Sequence, residues 1–319
     1  MSAAKSSTAT ATTATADSAQ GRAGGGYVGR FAPTPSGDLH LGSLYTAVAS
    51  YLDARAHRGR WLLRIEDLDR PREVAGAAAG MLRTLDEFGF EWDGEPARQR
   101  DRAELYAAAL QKLHSRGLTF QCSCSRLQLE DEQRYSGSCR VQPQIGGVPT
   151  ATRLRVEPGH VQFRDRIQGV YRQDVNAAVG DVILMRRDRI PAYLLAVVID
   201  DADQGVTHVV RGADLLDNTP RQIHLQRCLG LNQPEYAHVP VLTEPDDTKL
   251  AKSRRSVRLE GVDAVRQLVA TFTLLGLEPP DALGSAAIAD AWDWGIAHWD
   301  IRKVPKRLNM RLTDENPYG

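Results

Sequence analysis

Cysteine, lysine, net charge and long apolar runs are all scarce in this sequence, and each scarcity excludes something. Four cysteines in 319 residues cannot make a disulfide scaffold. Three of them fall between Cys122 and Cys139 while Cys228 stands alone, which suits a metal site in a reducing compartment better than cross-links. Basic and acidic side chains balance at 40 each, so a histone-like polycation is excluded, although a local basic face is not. Only six of the basic residues are lysines, so any pair of neighbouring lysines stands out. No apolar run reaches the roughly 18 residues of a membrane span. The N-terminus lacks the apolar stretch of a secretory signal. The reading is a cytoplasmic protein with no membrane partner.

Residues 1–26 are mostly Ser, Thr, Ala and Gly, a composition that buries too little apolar surface to offset the entropy of ordering, and they read as a disordered tail. From Tyr27 the pattern changes. A short apolar strand over residues 27–32 runs into a Pro/Gly loop and a helix over about 43–58. A buried strand follows at 61–66, then a helix opening near Asp69 and Pro71 and reaching Phe88. Such alternation predicts an α/β fold with a parallel sheet and ligands at the carboxyl ends of its strands. A helix over about 103–116 ends a first half at 27–116. Residues 117–192 hold the clustered cysteines and short strand-like pieces broken by Pro and Gly, the pattern of an inserted subdomain. Apolar runs at 194–199 and 206–210 read as resumed parallel strands, and with a helix over 219–229 they make a second half at 193–260. Residues 261–319 form a helical C-terminal region, interrupted at Pro279-Pro280, whose Trp292, Trp294 and Trp299 read as core.

Two loops carry the chemistry. The first, Arg30-Phe31-Ala32-Pro33-Thr34-Pro35-Ser36-Gly37-Asp38-Leu39-His40-Leu41-Gly42-Ser43, lies between a strand and a helix. His40 and the backbone at Gly42 sit at a predicted helix N-terminus, where free N–H groups and the helix dipole favour phosphate. Gly42 permits close approach of a ligand to the backbone. A tight turn capped by Ser43 or Asp38 is the structural alternative. The second loop, Lys249-Leu250-Ala251-Lys252-Ser253, holds two of the six lysines and is followed by Arg254, Arg255 and Arg258. Compact ammonium groups on flexible stems suit a polyphosphate; a solvated basic loop is the alternative.

Together these loops resemble the paired HIGH and KMSKS motifs of the class I aminoacyl-tRNA synthetases, in the same order and at a similar separation. The stretch Arg30 to Gly37 and the run Arg64-Ile65-Glu66-Asp67-Leu68-Asp69 are similar to the glutamyl and glutaminyl branch. So are Tyr193 with Val197-Val198-Ile199-Asp200-Asp201 behind it, and Arg211-Gly212-Ala213-Asp214-Leu215. The resemblance spans about residues 27–260. It implies the Rossmann-like parallel sheet of that class, split by a zinc-containing insertion, and a ligase that activates L-glutamate with ATP and its accompanying Mg²⁺. By that resemblance Arg30, Ala32, Thr34, Glu66, Tyr193 and Arg211 surround glutamate. Arg30 and Arg211 each grip a carboxylate, Tyr193 donates a hydrogen bond and Glu66 faces the ammonium. A buried ion pair of either arginine with Glu66 or Asp200 is the structural alternative. The resemblance also implies that His40, Gly42, Ser43, Lys249 and Lys252 bind ATP, with His40 acting at the α-phosphate and Lys252 at the β and γ phosphates. Three positions depart from the family pattern: Ser43 for the last His, Ala251 for the central Ser, and Leu194 for a polar residue after the tyrosine.

Cys122, Cys124 and Cys139 supply three soft thiolates at close spacing, the pattern of one structural Zn²⁺; a set of reduced buried cysteines is the alternative. Glu130, Asp131 or water can complete four ligands, and the family's Cys-Cys-Tyr-Cys set implies Tyr135. Arg126, Arg134 and Arg140 lie around this site, as phosphate contacts or as solvated charge. Residues 259–319 are too few for the anticodon-reading cage usual after the second motif. The resemblance therefore narrows to the short paralogues of the branch, which attach glutamate to the queuosine base in the anticodon of tRNA(Asp). The expectation is a monomer acting on ATP, L-glutamate and queuosine-containing tRNA(Asp). The alternatives are a truncated enzyme charging a tRNA 3′ end, a non-catalytic zinc module that binds RNA, and a small-metabolite nucleotidyltransferase.

Overall fold

The structure, a computed structural model, describes residues 26–124, 134–141, 147–244, 259 and 263–312. The first half holds β1 (Val28–Phe31), α1 (Leu41–Ala56), β2 (Arg60–Ile65), α2 (Ala77–Glu87), β3 (Ala97–Arg98) and α3 (Ala103–Ser115). Then come β4 (Thr119–Cys122), α4 (Ser138–Val141), β5 (Ala151–Leu154), the hairpin β6 (His160–Asp165) and β7 (Gly169–Asp174), α5 (Val175–Val179) and β8 (Val182–Met185). Helix α6 (Tyr193–Asp203), β9 (His208–Gly212), α7 (Thr219–Leu229), β10 (Glu235–Val239) and β11 (Val241–Thr243) follow, and α8 (Ala264–Leu274), α9 (Ile288–His298) and β12 (Asn309–Arg311) end the described chain.

The parallel sheet expected from the alternation is present. Strands β1, β2 and β3 pair in parallel in that order, and β9, β10 and β6 pair in parallel beside them, with β7 antiparallel at the far edge. The two sets adjoin where the Thr207 amide donates to the Val28 carbonyl at 2.9 Å. The carboxyl ends of β1, β2 and β9 therefore open on one side.

Helix α1 is buried on nearly every face, through Leu41, Leu44, Tyr45, Val48, Tyr51 and Leu52 among others. It packs on β1, β2 and β9 with one side and against α8 and α9 with the other, and so forms the centre of the larger core. The C-terminal tryptophans join that core as expected: Trp292 is buried and donates to the Phe88 carbonyl at 2.9 Å, and Trp294 and Trp299 pack partly buried against it. Among the described residues no helix is long and apolar enough to cross a membrane.

Two expectations are corrected. Residues 194–199 are not a strand but the middle of α6, because a helix buried on several sides reads as the same continuous apolar run. Residues near Asp69 form only a 3₁₀ turn at Arg70–Arg72, and α2 starts at Ala77. The segment 117–192 is divided in space: β4, β5 and β8 form a separate antiparallel sheet, whereas the β6–β7 hairpin extends the central sheet through Asp165 opposite Tyr236. Residues 1–25 lie outside the described part of the chain.

Candidate active site and metal centre

His40 is the N-cap of α1. Its carbonyl accepts from the Ser43 and Leu44 amides at 2.8 and 2.9 Å, and its ring Nδ1 accepts from the Ser43 amide at 3.3 Å. Since Nδ1 is an acceptor, the ring proton sits on Nε2, the nitrogen left for a ligand. Burial holds the His40 pKa below its ordinary value, so at neutral pH the ring is an uncharged donor beside the positive end of the helix dipole. Gly42 serves the same ring. A Cβ there would lie 3.1 and 3.2 Å from His40 Cε1 and Nδ1, so the room that the sequence suggests for a ligand is occupied by the histidine itself. A cavity of about 610 Å³ opens between this turn and the strands, lined by Thr34, His40, Ser43, Gly212, Asp214 and Val241 among others. Lys249 and Lys252 lie outside the described residues, but β11, the strand leading toward them, supplies the cavity wall through Val241 and Leu242.

Next to this cavity lies a buried charge network. Arg30 pairs with Leu62 in the sheet register, so Arg30, Arg64 and Glu66 share one sheet face by the two-residue period of strands. Asp200 and Asp201 of α6 meet them there. Arg30 donates through Nε and Nη2 to the two oxygens of Asp201 at 3.2 and 3.4 Å, and Arg64, fully buried, donates to Asp201 Oδ1 at 2.8 Å and to Gln204 at 2.6 Å. The ion pair weighed as an alternative for Arg30 thus exists, with Asp201 rather than Asp200 as partner. Asp200 is taken up by Gln99, Arg102 and Tyr106.

Glu66 differs from its neighbours. Its amide is tied to the Pro33 carbonyl at 2.9 Å, which sets the residue against the first loop, yet its carboxylate accepts no hydrogen bond from any described residue. The nearest cation among the described residues, Arg64 Nη2, stands off at 3.8 Å. Burial pushes its pKa up to about 7 against the opposing charges of Arg64 and Arg30, with Asp201 and Asp200 adding to the rise. Tyr193, the first residue of α6, is 39% exposed over this group. Desolvation and the Glu66 charge raise its phenol pKa, and Arg211 and Arg30 oppose the rise. Leu194 packs, partly buried, against a second core that includes Tyr106, Leu154, Leu184 and Val197. Ala32 is half-buried just beyond β1.

Arg211, on β9, is buried and lies over the Tyr236 ring with its guanidinium carbon 5.4 Å from the centroid. Its Nε donates to His238 Nε2 at 3.0 Å and its Nη2 to Thr219 Oγ1 at 2.8 Å, while Nη1 has no partner among the described residues. One end of the fork is held and the other is left as a donor. Sequence reading gave no role to Arg64, Asp201, Asp165 or His238. The first two were signalled by their place in quoted motifs, and His238 meets Arg211 only through the β9–β10 register, which nothing local announces.

The metal centre is built separately. The sulfur atoms of Cys122, Cys124 and Cys139 all lie within 4.8 Å of one another. Tyr135 joins them: its hydroxyl accepts from the Cys139 amide at 3.1 Å, and its ring is covered by the Arg153 guanidinium at 3.8 Å. Gly180, at φ 71°, lets the chain pass there, since a Cβ would come within 2.2 Å of the Tyr135 carbonyl. Burial raises the Cys139 thiol pKa, but hydrogen bonds from Tyr135, the Ser123 amide and the other cysteines outweigh it and bring it to about 6. A set of close sulfur donors with one thiol poised to ionise fits Zn²⁺. Of the flanking arginines, the partly buried Arg140 grips both oxygens of the buried Asp181, and the exposed Arg134 binds the carbonyl and side chain of Asn176. Glu130, Asp131 and Arg126 lie outside the described residues.

The parallel sheet thus carries a helix capped by histidine at one strand end and a buried network of arginines and carboxylates beside it. The chain belongs to the class I tRNA synthetases (E and Q), whose catalytic domain matches residues 27–282. It is 52% identical over 287 residues to the glutamyl-Q tRNA(Asp) synthetase of Pseudomonas fluorescens, covering 89% of this chain and 95% of that one. The enzymes of the same name from Pseudomonas aeruginosa and Ectopseudomonas mendocina are 53% and 54% identical, over 88% and 89% of this chain and 96% and 97% of their own lengths. In fold the chain is similar to the glutamate-tRNA synthetase of Elizabethkingia anophelis, with a TM-score of 0.77 at 23% identity over 92% of this chain and 69% of that one.

Proposed function

We propose that this protein activates L-glutamate with ATP to glutamyl-adenylate and transfers the glutamyl group to the queuosine base in the anticodon of tRNA(Asp). The observation that carries the amino-acid choice is the presence of both Glu66, a buried carboxylate with no donor among the described residues, and Arg211, a buried guanidinium whose Nη1 has no partner among them. An ammonium satisfies the first and a carboxylate the second. The name and close similarity of the relatives support the acceptor.

In the first step an oxygen of the α-carboxylate attacks the α-phosphorus, the bond to the bridging oxygen of the β-phosphate breaks, and pyrophosphate leaves. His40 donates through Nε2 to an α-phosphate oxygen, with the α1 N-terminus adding its dipole. Lys252 and Lys249 hold the outer phosphates, and Mg²⁺ comes with the nucleotide as its counter-ion. In the second step a hydroxyl of the queuosine cyclopentene diol attacks the glutamyl carbonyl. An ester forms, the hydroxyl loses its proton and AMP departs. Cys122, Cys124, Cys139 and Tyr135 would hold one structural Zn²⁺ that ties β4 to the 134–141 segment, and purified protein is expected to carry about one equivalent; less than a tenth of one overturns that assignment.

The test is incubation with ATP, labelled glutamate and tRNA(Asp) with or without queuosine, followed by nuclease mapping. Label is expected in the anticodon fragment of the queuosine-containing RNA, and label on the 3′ adenosine overturns the acceptor. Glutamate-dependent ATP–pyrophosphate exchange tests activation, and unaltered exchange in Lys252→Ala would remove that lysine from the mechanism.

A further inference from the structure

The Asp165–His238 pair lies outside the proposed set of substrate contacts, yet it ends on one of them. His238 is fully buried on β10, directly opposite Arg211 in the parallel register. Its ring is enclosed by Phe163 and Tyr236, and the charged groups that act on it are Asp165 from the β6 end, Arg211 from β9 and Arg30 from β1.

The proton positions follow from donor chemistry alone. Arg211 Nε–H can only donate, so His238 Nε2, 3.0 Å away, must present its lone pair. The remaining ring proton is then on Nδ1, which donates to Asp165 Oδ2 at 2.5 Å. The other oxygen of Asp165 is equally committed: Oδ1 accepts from the backbone amides of Ile167, Gln168 and His238 at 3.0, 2.8 and 3.1 Å. Three amides thus orient the carboxylate, the carboxylate selects the histidine tautomer, and the tautomer supplies the acceptor that turns Arg211. Burial keeps the ring neutral, and the adjoining Arg211 and Arg30 charges act in the same sense against the pull of Asp165. Thr219 Oγ1, itself 3.2 Å from His238 Nε2, braces the same guanidinium through Nη2, so Nη1 is the corner with no partner among the described residues.

We infer that His238 and Asp165 are positioning residues that hold Arg211 in its carboxylate-binding orientation by fixing a neutral, Nδ1-protonated imidazole. Their part in binding rests on the glutamate reading above; their part in orienting Arg211 does not.

The substitution Asp165→Asn separates the two. The three amides require the amide oxygen at the Oδ1 position, which places the amide NH₂ against His238 Nδ1. That forces the proton to Nε2, where it confronts Arg211 Nε–H. In protein labelled with ¹⁵N-histidine, with the His238 signal identified by its loss in His238→Gln, the native ring is expected to be neutral with its proton on Nδ1, and Asp165→Asn to move it to Nε2. An Nε2-protonated ring or an imidazolium in the native protein at pH 7 overturns the inference, whatever the substrate. In ATP–pyrophosphate exchange, Asp165→Asn is expected to raise the KM for glutamate about 10- to 100-fold, with the KM for ATP nearly unchanged. His238→Gln, whose amide oxygen can accept from Arg211, is expected to lose much less. An unchanged glutamate KM in Asp165→Asn, or equal losses for glutamate and ATP with a lowered Tm, overturns the positioning role. Exchange by the native protein that ignores glutamate overturns the glutamate reading and leaves the tautomer result to stand or fall by itself.

Discussion

Asp53 and Glu66 are two buried carboxylates of the same β-α-β unit, and they have opposite electrostatic fates. Asp53 lies near the end of α1 and is fully buried. It accepts from the Tyr27 hydroxyl at 2.5 Å, from Arg166 at 2.5 and 3.0 Å, and from the Trp299 indole at 3.0 Å. Burial raises its pKa, but these donors outweigh burial and hold it below the ordinary value. Glu66, past the carboxyl end of β2, accepts nothing from a described side chain and rises to about 7. Comparable burial with unequal satisfaction separates a structural joint, which ties the start of β1, the β6–β7 turn and the C-terminal segment together, from a binding group kept short of donors until a ligand supplies one.

This contrast can be broken by the same isosteric change made at each site. Asp53→Asn sets the partly buried Arg166 against a neutral, fully buried amide and is expected to cost about 3–5 kcal/mol of stability, read as a lowered denaturation midpoint. A loss under 1 kcal/mol would show that the joint is dispensable. His40→Ala, on the ligand side, is expected to slow pyrophosphate exchange about 10²- to 10³-fold while lowering stability by only about 1 kcal/mol, the loss of its cap on α1. Exchange at the native rate would remove His40 from the reaction.

The smallest effect has the opposite sign. The folded-state pKa of Glu66 lies above its ordinary 4.5, so the native state binds the proton more tightly and this group's contribution to stability falls as pH rises from about 4.5 to 7. Glu66→Gln removes that fall. The variant is expected to be more stable than the native protein by about 1–3 kcal/mol at pH 8, while glutamate-dependent exchange is lost for want of an ammonium partner. Denaturation series at pH 5 and pH 8 test both parts, and a variant less stable at pH 8 would contradict the account of Glu66. Asp53 behaves in reverse: its lowered pKa contributes stability above the ordinary carboxylate range, and that contribution is lost as acid protonates it.

Much of the candidate site is legible in the sequence alone. His40 at a helix start, Glu66 just past the end of a buried strand and the three clustered cysteines each follow from residue type and spacing over a few positions. Helices α1, α3 and α7 lie within two residues of their expected spans for the same reason. Gly42 was legible as a close-approach position, but what approaches it, the His40 ring, was not. Helix α6 was misread because burial on several sides erases the 3.6-residue period that separates helix from strand.

What the sequence determined by itself are the features set by local pattern: the spans of α1, α3 and α7, the alternation, the metal-ligand spacing and the two signature loops, whereas the cap of α1 is His40 rather than Ser43 or Asp38. Tertiary structure alone decided which charges are satisfied. Asp53 draws its donors from positions 26, 113 and 246 residues away, and Arg211 meets His238 across 27 residues through the register of two parallel strands. Such pairings depend on how loops close and sheets align, and no window of neighbouring residues carries that information.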